Sequence, residues 1–571
     1  MGEYMDWYLM DPAYAATTNR QYITIVNLTP HEFKLTYSHA NQMDHWDWDS
    51  IPPGKSRQNL AHYTETVDKN PIDSKGEAYY DVGNTGKKFV VRVTNNIPNT
   101  YTKRIIFDLT GMGKGQREYK APEQKVPVTL VITGSDSYGF VTSLSHGPGN
   151  WMNAIKDAIA HRKVLELIVP GTHDSGMSKI TGAILTAATE SNTQTQGLNI
   201  YNQLRVGARW FDLRVSTVHE AVKCCENYEF WTTHLSDEMA TLALGRSGEK
   251  LDEVIDEVNQ FTGENPGEII FLEFRYLIGI RNVPSLGPLY WTNAMKDEFF
   301  DKLKKINNRC PGLPEINLQN QIIGDLMARN DGKGCVLILI NTSRFRDITT
   351  PHISPGDGIY NSHAIDWFDS WPNTEDTKDV AEFVINSENG WKKRNGKQFH
   401  VTQWLSTPNF LTSTFSYSLQ EIALLPTNSA LYWRGVIDMK PDNYPNVIMV
   451  DYIGMVLLNE PQWNSLSAEL YTLAIGLNLY MLSENCIMNT RRSPLLPSRK
   501  NSRRPFNPLV ADFNGVIFAN GTVWDNPPPD FHLGRDEFLQ NGTVFSNGTV
   551  FRKSTVLHRT ARNTHLNLTE F

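Results

Sequence analysis

The sequence predicts an α/β barrel preceded by an all-β, sandwich-like domain, and three observations predict it. Strand and helix patterns alternate from about residue 150 to 485. The apolar strands of that stretch carry charged residues or histidines at or near their ends, where α/β folds keep their chemistry. Residues 21–145 are rich in strand signals and poor in helix signals. The expected organisation is a lead over 1–20, a β-sandwich-like domain over 21–145, the barrel over 146–485, and a basic linker with a repetitive tail over 486–571.

The chain has 571 residues, of which 40% are hydrophobic and 20% charged, so a sizeable core is within reach. Its net charge of −8 gives no reason to expect a nucleic-acid partner. Five cysteines with no metal-type spacing do not read as a disulfide framework, and adjacent Cys224 and Cys225 cannot be joined without strain. The start, Met-Gly-Glu-Tyr-Met-Asp-Trp, lacks a basic region followed by an apolar core, and Asp6 breaks the myristoylation pattern. A cytoplasmic chain, with peripheral membrane contact, is the expectation. Sequons at Asn27, Asn341, Asn520, Asn541, Asn547 and Asn567 matter only on the secretory route.

In the β domain, the runs starting at Tyr22, Glu32, Lys88, Arg104 and Val126 are candidate strands, with turns at Pro52-Pro-Gly54 and Gly111–Gly115. The segment His45-Trp-Asp-Trp48 reads either as packed tryptophans or as an interfacial aromatic patch. Gly147-Pro-Gly-Asn150 opens a short amphipathic helix with Trp151, Ile155 and Ile159 on one stripe, expected to close the barrel floor.

The first barrel strand runs through Leu165-Glu-Leu-Ile-Val169 into Pro-Gly-Thr-His-Asp-Ser-Gly176, presenting His173 and Asp174 side by side. Gly176 is expected to let the chain turn away freely. Further strands follow at Trp210–Arg214, Phe230–His234, 268–275, 336–340, 399–404 and 446–451, with helices at 251–261 and 292–306. Residues 341–395, with Trp367, Trp371 and Trp391, read as a loop-rich insertion near the active face. The apolar core of the helical stretch Trp463–Asn485 is shorter than the roughly 20 residues of a membrane span, so a packed terminal helix is expected. Arg491–Arg504 carries six basic residues and no acidic ones, a solvated linker or a segment attracted to anionic lipid. The tail repeats Asn-Gly between apolar residues at 514, 520, 541 and 547, a pattern that favours tight hairpins.

Five ordered motifs carry a resemblance. These are the Gly171-Thr-His-Asp-Ser175 turn, Gly207-Ala-Arg-Trp-Phe-Asp-Leu-Arg214, the following His234, the strand Glu268–Arg275, and Val450-Asp-Tyr452. Over roughly residues 150–460 the chain resembles the X-domain superfamily of phosphatidylinositol-specific phospholipases C, in particular its metal-independent bacterial and fungal type. The resemblance implies a distorted TIM-type barrel and phosphodiester cleavage of a phosphoinositide-like lipid at a membrane surface. It implies His173 as base, oriented by Asp451, and His234 as acid, supported by Asp174. Arg214 would stand on the phosphate where calcium-dependent relatives carry an acidic residue.

A guanidinium can donate two parallel hydrogen bonds to phosphate oxygens, so no cofactor is expected. Asp212 lies two residues from Arg214 on the same strand face, and Glu273 with Arg275 repeats that arrangement. A calcium site on Asp212 and Glu273 is therefore the alternative, as is a non-catalytic lipid-binding barrel. Arg275 and Arg344 are candidate substrate contacts. His219 is the next candidate for the acid should His234 fail.

Overall fold

The computed structural model describes residues 19–480, apart from 65, 67, 96–102, 121–126, 137–138, 184–189, 220–227, 236–244, 282–290, 343–351, 394–397, 409–417, 441–442 and 456–466, together with 516–517 and 523–524. Two compact units divide the chain, 1–512 and 513–571.

Two five-stranded sheets form the N-terminal region of the larger unit. One has the order Gly139–Thr142, Val128–Ser135, Arg20–Leu28, Lys55–Tyr63, Met43–Trp46; the other runs Phe33–Asn41, Lys75–Val82, Lys88–Thr94, Arg104–Asp108, Gln116–Lys120. Their inner faces share a core that includes Ile23, Ile25, Tyr80, Phe89, Val91 and Phe107. Strands such as Lys75–Val82 alternate buried and part-exposed residues, as a sheet wetted on one side must.

Arg20–Leu28 differs, being buried at every position after the first. Ile23 and Ile25 face the sandwich, whereas Val26 and Leu28, one residue out of phase, join the barrel core with Leu473 and Leu477 of helix Glu469–Tyr480. Each such aliphatic side chain contributes roughly 1.5–3 kcal/mol on burial. Gly476 allows the close approach, since a Cβ there would lie 2.7 Å from Leu28 Cδ1. The tryptophans of 45–48 are packed: Trp48 is buried in the sandwich, and Trp46 lies over Gly76 with its indole N–H on Ser38 Oγ at 3.1 Å. Asn27 is fully buried and donates to the carbonyls of His31 and Ile51, so its sequon is inaccessible in the folded chain.

Eight parallel strands follow one another around the barrel in chain order: Val169–Thr172, Trp210–His219, Glu268–Arg281, Gly334–Ile340, Ile359–Asn361, Trp367–Ser370, Phe399–Gln403 and Val447–Val450. The last pairs with the first, Val169 opposite Val447. Among the described residues no pairing joins Ile359–Asn361 to Trp367–Ser370, so the barrel is distorted by an open seam. The expected insertion at 341–395 is corrected here. It holds two barrel strands of three and four residues and the helix Thr377–Asn386, and strands that short show no periodicity.

The second and third strands run past the barrel mouth, and the second pairs there with the hairpin strand Tyr228–Leu235. His234 therefore sits on an antiparallel strand outside the barrel, which the aromatic pattern of its sequence cannot distinguish from a barrel strand. At the floor, Trp151, Ile155 and Ile159 are buried across two short helical turns, Trp151–Ala154 and Lys156–Ile159. Arg209 and Glu268, both essentially unexposed, pair there, and the Glu268 carboxylate also accepts from Asn153 N–H at 3.0 Å.

In helix Glu469–Tyr480 the buried amide of Asn478 satisfies both backbone groups of Ile168 at the entrance to the first strand. Among the described residues no helix is long and apolar enough to cross a membrane. Cys310 and Cys335 are bridged, Cα–Cα 5.3 Å, a single pair 25 residues apart for which the sequence carries no signal. In the smaller unit, Val516–Ile517 pairs antiparallel with Val523–Trp524. The later Asn-Gly repeats and the basic stretch 491–504 lie outside the described residues.

Candidate active site

The turn after the first barrel strand places its chemistry by an unusual backbone. Asp174 adopts φ +41°, a left-handed conformation that aspartate tolerates better than most residues. Its carboxylate is buried and becomes the hub of the site: Arg214 Nε lies 2.9 Å from Oδ1, while His234 Nδ1 and His173 Nε2 lie 3.7 and 3.9 Å from Oδ2. Gly176 is not at positive φ. Its constraint is space, because a Cβ would fall 2.2 Å from the Thr232 side chain.

Across the barrel closure, Asp451 follows the last strand and accepts from His173 Nδ1–H at 2.9 Å. That bond leaves His173 Nε2 to face the site. His234 donates Nδ1–H to the Thr193 carbonyl at 2.9 Å, so its Nε2 too is left for proton transfer. The two imidazole centroids are 6.1 Å apart with the rings nearly perpendicular. Asp174 is thus the second neighbour of His234, and its hydrogen-bond partner is a backbone carbonyl.

Arg214 lies between the carboxylates. Besides its ion pair with Asp174, Arg214 donates Nη2–H and Nε–H to Asp212 at 3.0 and 3.4 Å, while its other Nη has no protein partner among the described residues. Asp212 also meets Arg275 Nε at 3.1 Å, and Arg275 reaches Glu273 and Asp369. The register slips between Leu213 and Arg214, so that Arg275 is the extra residue between Phe274 and Tyr276. Bulges of this kind re-aim side chains beside functional sites. His219 pairs with Tyr228 and Arg281, five residues past Arg214 and so about 17 Å along an extended strand. Arg344 lies outside the described residues.

Charge follows from this geometry. Burial opposes the charged form of His173, but Asp451 and Asp174 outweigh it and hold its pKa above the ordinary value. For His234 burial dominates, Arg214 and His173 add to it, and its pKa is lowered despite Asp174. Burial raises Asp174, against the pull of Arg214 and the two imidazoles. Asp212, although buried, is held well below the usual carboxylate range by Arg214 and Arg275. Burial pushes Glu273 up to about 8, with Asp212 and Asp369 adding to it against Arg275.

No family model matches the chain. Among curated proteins it is similar to PI-PLC X domain-containing protein 3 of Bos taurus, 22% identical over 287 residues, which cover 46% of this chain and 75% of that protein. The Homo sapiens protein of that name is 21% identical over the same length, and PI-PLC X domain-containing protein 2 of Homo sapiens is 24% identical over 300 residues, covering 49% of this chain and 85% of that protein. These likenesses support a PI-PLC X-domain, PLC-like superfamily. Among solved structures it aligns with phosphatidylinositol-specific phospholipase C of Staphylococcus aureus, TM-score 0.37 at 14% identity over 57% of this chain and 98% of that one. The Listeria monocytogenes enzyme gives TM-score 0.36 at 13% identity over 58% and 98%.

In this site, sequence reasoning missed Asp369, Gln403, Thr193 and Gln196. Asp369 had a signal: Trp367-Phe-Asp369 repeats Trp210-Phe-Asp212 on another barrel strand, and both aspartates meet Arg275. Gln403 donates to Asp369 from the neighbouring strand. Thr193 acts through its carbonyl, to which the residue type contributes nothing.

Proposed function

We propose that the chain is a metal-independent phosphodiesterase of the phosphatidylinositol-specific phospholipase C type, acting on a phosphoinositide-like lipid at a membrane surface. The observation that carries the reading is the set of two imidazoles and one guanidinium around the Asp174 carboxylate, each with a nitrogen left over for a ligand. In the reaction, His173 Nε2 removes the proton of the inositol 2-hydroxyl as its oxygen attacks phosphorus. The bond from phosphorus to the diacylglycerol oxygen breaks, and His234 Nε2 delivers a proton to that oxygen. The products are a cyclic inositol phosphate and diacylglycerol. Arg214, through its unpartnered Nη, binds a phosphate oxygen and stabilises the charge that builds there.

The roles require neutral His173 and protonated His234, whereas the shifts in the ligand-free site run the other way. A phosphate anion beside both rings adds to the charge of Asp174 and raises both: it favours the protonated His234 that the acid role requires, and leaves His173 neutral, as the base role requires, only above its raised pKa. Calcium on Asp212 and Glu273 is disfavoured by the cations already there: Arg214 and Arg275 both pair with Asp212, and Arg275 also pairs with Glu273. Trp371, half exposed just past the sixth strand at the active end, suits contact with a lipid interface. Vesicles containing phosphatidylinositol, incubated with the protein in excess chelator, should release diacylglycerol. Release only after calcium is added would overturn the metal-free reading.

A further inference from the structure

The two loops that hold His173 and Asp451 come from residues 278 apart in sequence, and one buried side chain joins them. Gln196 is unexposed. Its Nε2 donates to the His173 carbonyl at 2.9 Å and to the Val450 carbonyl at 3.1 Å, and its Oε1 accepts from Ile453 N–H at 3.1 Å. The whole run Thr193-Gln-Thr-Gln196 acts in the same place. Thr193 supplies the carbonyl for His234, Thr195 Oγ1 donates to the Asp174 carbonyl, and the carbonyls of Gln194 and Thr195 take the hydroxyl and the N–H of Tyr452. Tyr452 needs that support, since it stands directly after Asp451 at φ +50°, a strained conformation for a bulky residue.

We propose that Gln196 is a positioning residue: its carboxamide fixes the His173 loop against the Asp451 loop and so sets the His173–Asp451 hydrogen bond. The inference rests on the proposed function only for what His173 does afterwards. A purely structural clamp exists on the same two strands for comparison. At the opposite end, buried Asn446 donates to the carbonyls of Leu165 and Leu167 and accepts from His400 N–H. Both amides bridge the first and last strands, but only Gln196 does so beside the imidazole.

The test compares Gln196→Met and Asn446→Leu in the full chain, following the titration of His173 by NMR of histidine-labelled protein, with His173→Ala to assign the signal. Both substitutions should lower the thermal midpoint. Gln196→Met alone should shift the His173 titration to lower pH, because a looser Asp451 leaves burial less opposed. Turnover of phosphatidylinositol should fall on the order of 10²-fold with little change in KM, as for a misplacement of about 1 Å. If Gln196→Met does not fold, Gln196→Asn keeps an amide too short to reach both loops and should shift His173 in the same direction. A lowered midpoint with His173 titrating as in wild type would overturn the proposal. Absence of phosphatidylinositol turnover by wild type would sink the proposed function while leaving the titration result intact.

Discussion

Replacing Arg214 by lysine tests the phosphate ligand with its charge retained. The guanidinium serves three directions at once: Nε to Asp174 at 2.9 Å, one Nη to Asp212 at 3.0 Å, and the other Nη left for a ligand. A lysine ammonium placed between those two buried carboxylates satisfies them and has no planar second edge to offer. The variant should therefore lose one charge-assisted hydrogen bond made to the transition state. Such a bond contributes about 1.5–3 kcal/mol. At roughly 1.4 kcal/mol per tenfold, turnover falls about 10- to 150-fold. Steady-state kinetics on phosphatidylinositol in mixed micelles, with chelator present, read the change, and a thermal melt of the same sample checks the fold. The loss should appear in kcat more than in KM. Turnover of Arg214→Lys within about threefold of wild type would refute the assignment.

Other perturbations separate the parts of the site. Asp451→Asn removes the main group that raises His173, so its NMR titration should move below that of wild type; an unchanged midpoint would mean that the 2.9 Å contact does not govern it. Glu273, raised from 4.5 to about 8, favours the folded state fully below its unfolded pKa and loses that contribution as pH rises towards 8. The thermal midpoint of Glu273→Gln relative to wild type should thus increase between about pH 5 and 8 and level off above, whereas a pH-independent difference would contradict a buried neutral carboxyl. At the barrel floor, Glu268→Ala strands the unexposed Arg209 and should cost about 3–5 kcal/mol in denaturant unfolding; a loss under about 1 kcal/mol would show that water reaches the guanidinium.

Much of the fold was legible because its signals are local. The runs at 268–275 and 336–340 are mostly apolar, as strands buried on both faces must be, and both lie in barrel strands; the run at 165–169 is shorter as a strand than expected, a 3-10 turn over Val164–Glu166 leading into the first strand, Val169–Thr172. The strands at 359–361 and 367–370 were not legible, since three or four residues are too few for any period. The hairpin nature of the His234 strand was hidden for another reason: strand direction is set by pairing, on which a single strand's composition is silent. In the site, charged side chains at strand ends pointed to His173, Arg214 and Asp451. The partners that the backbone supplies, such as the Thr193 carbonyl, leave no trace in residue type. Gln196 looks like any polar loop residue until the fold brings Val450 and His173 to either side of it.

Phosphorus NMR of the products formed from phosphatidylinositol by wild type and by His173→Ala, both in excess chelator, tests the central claim most directly. The predicted result is a cyclic inositol phosphate signal for wild type and a rate lower by about 10²- to 10⁴-fold for the variant, the usual effect of losing a general base. A variant that forms the cyclic product at the wild-type rate, or a wild type that forms none, would contradict the account.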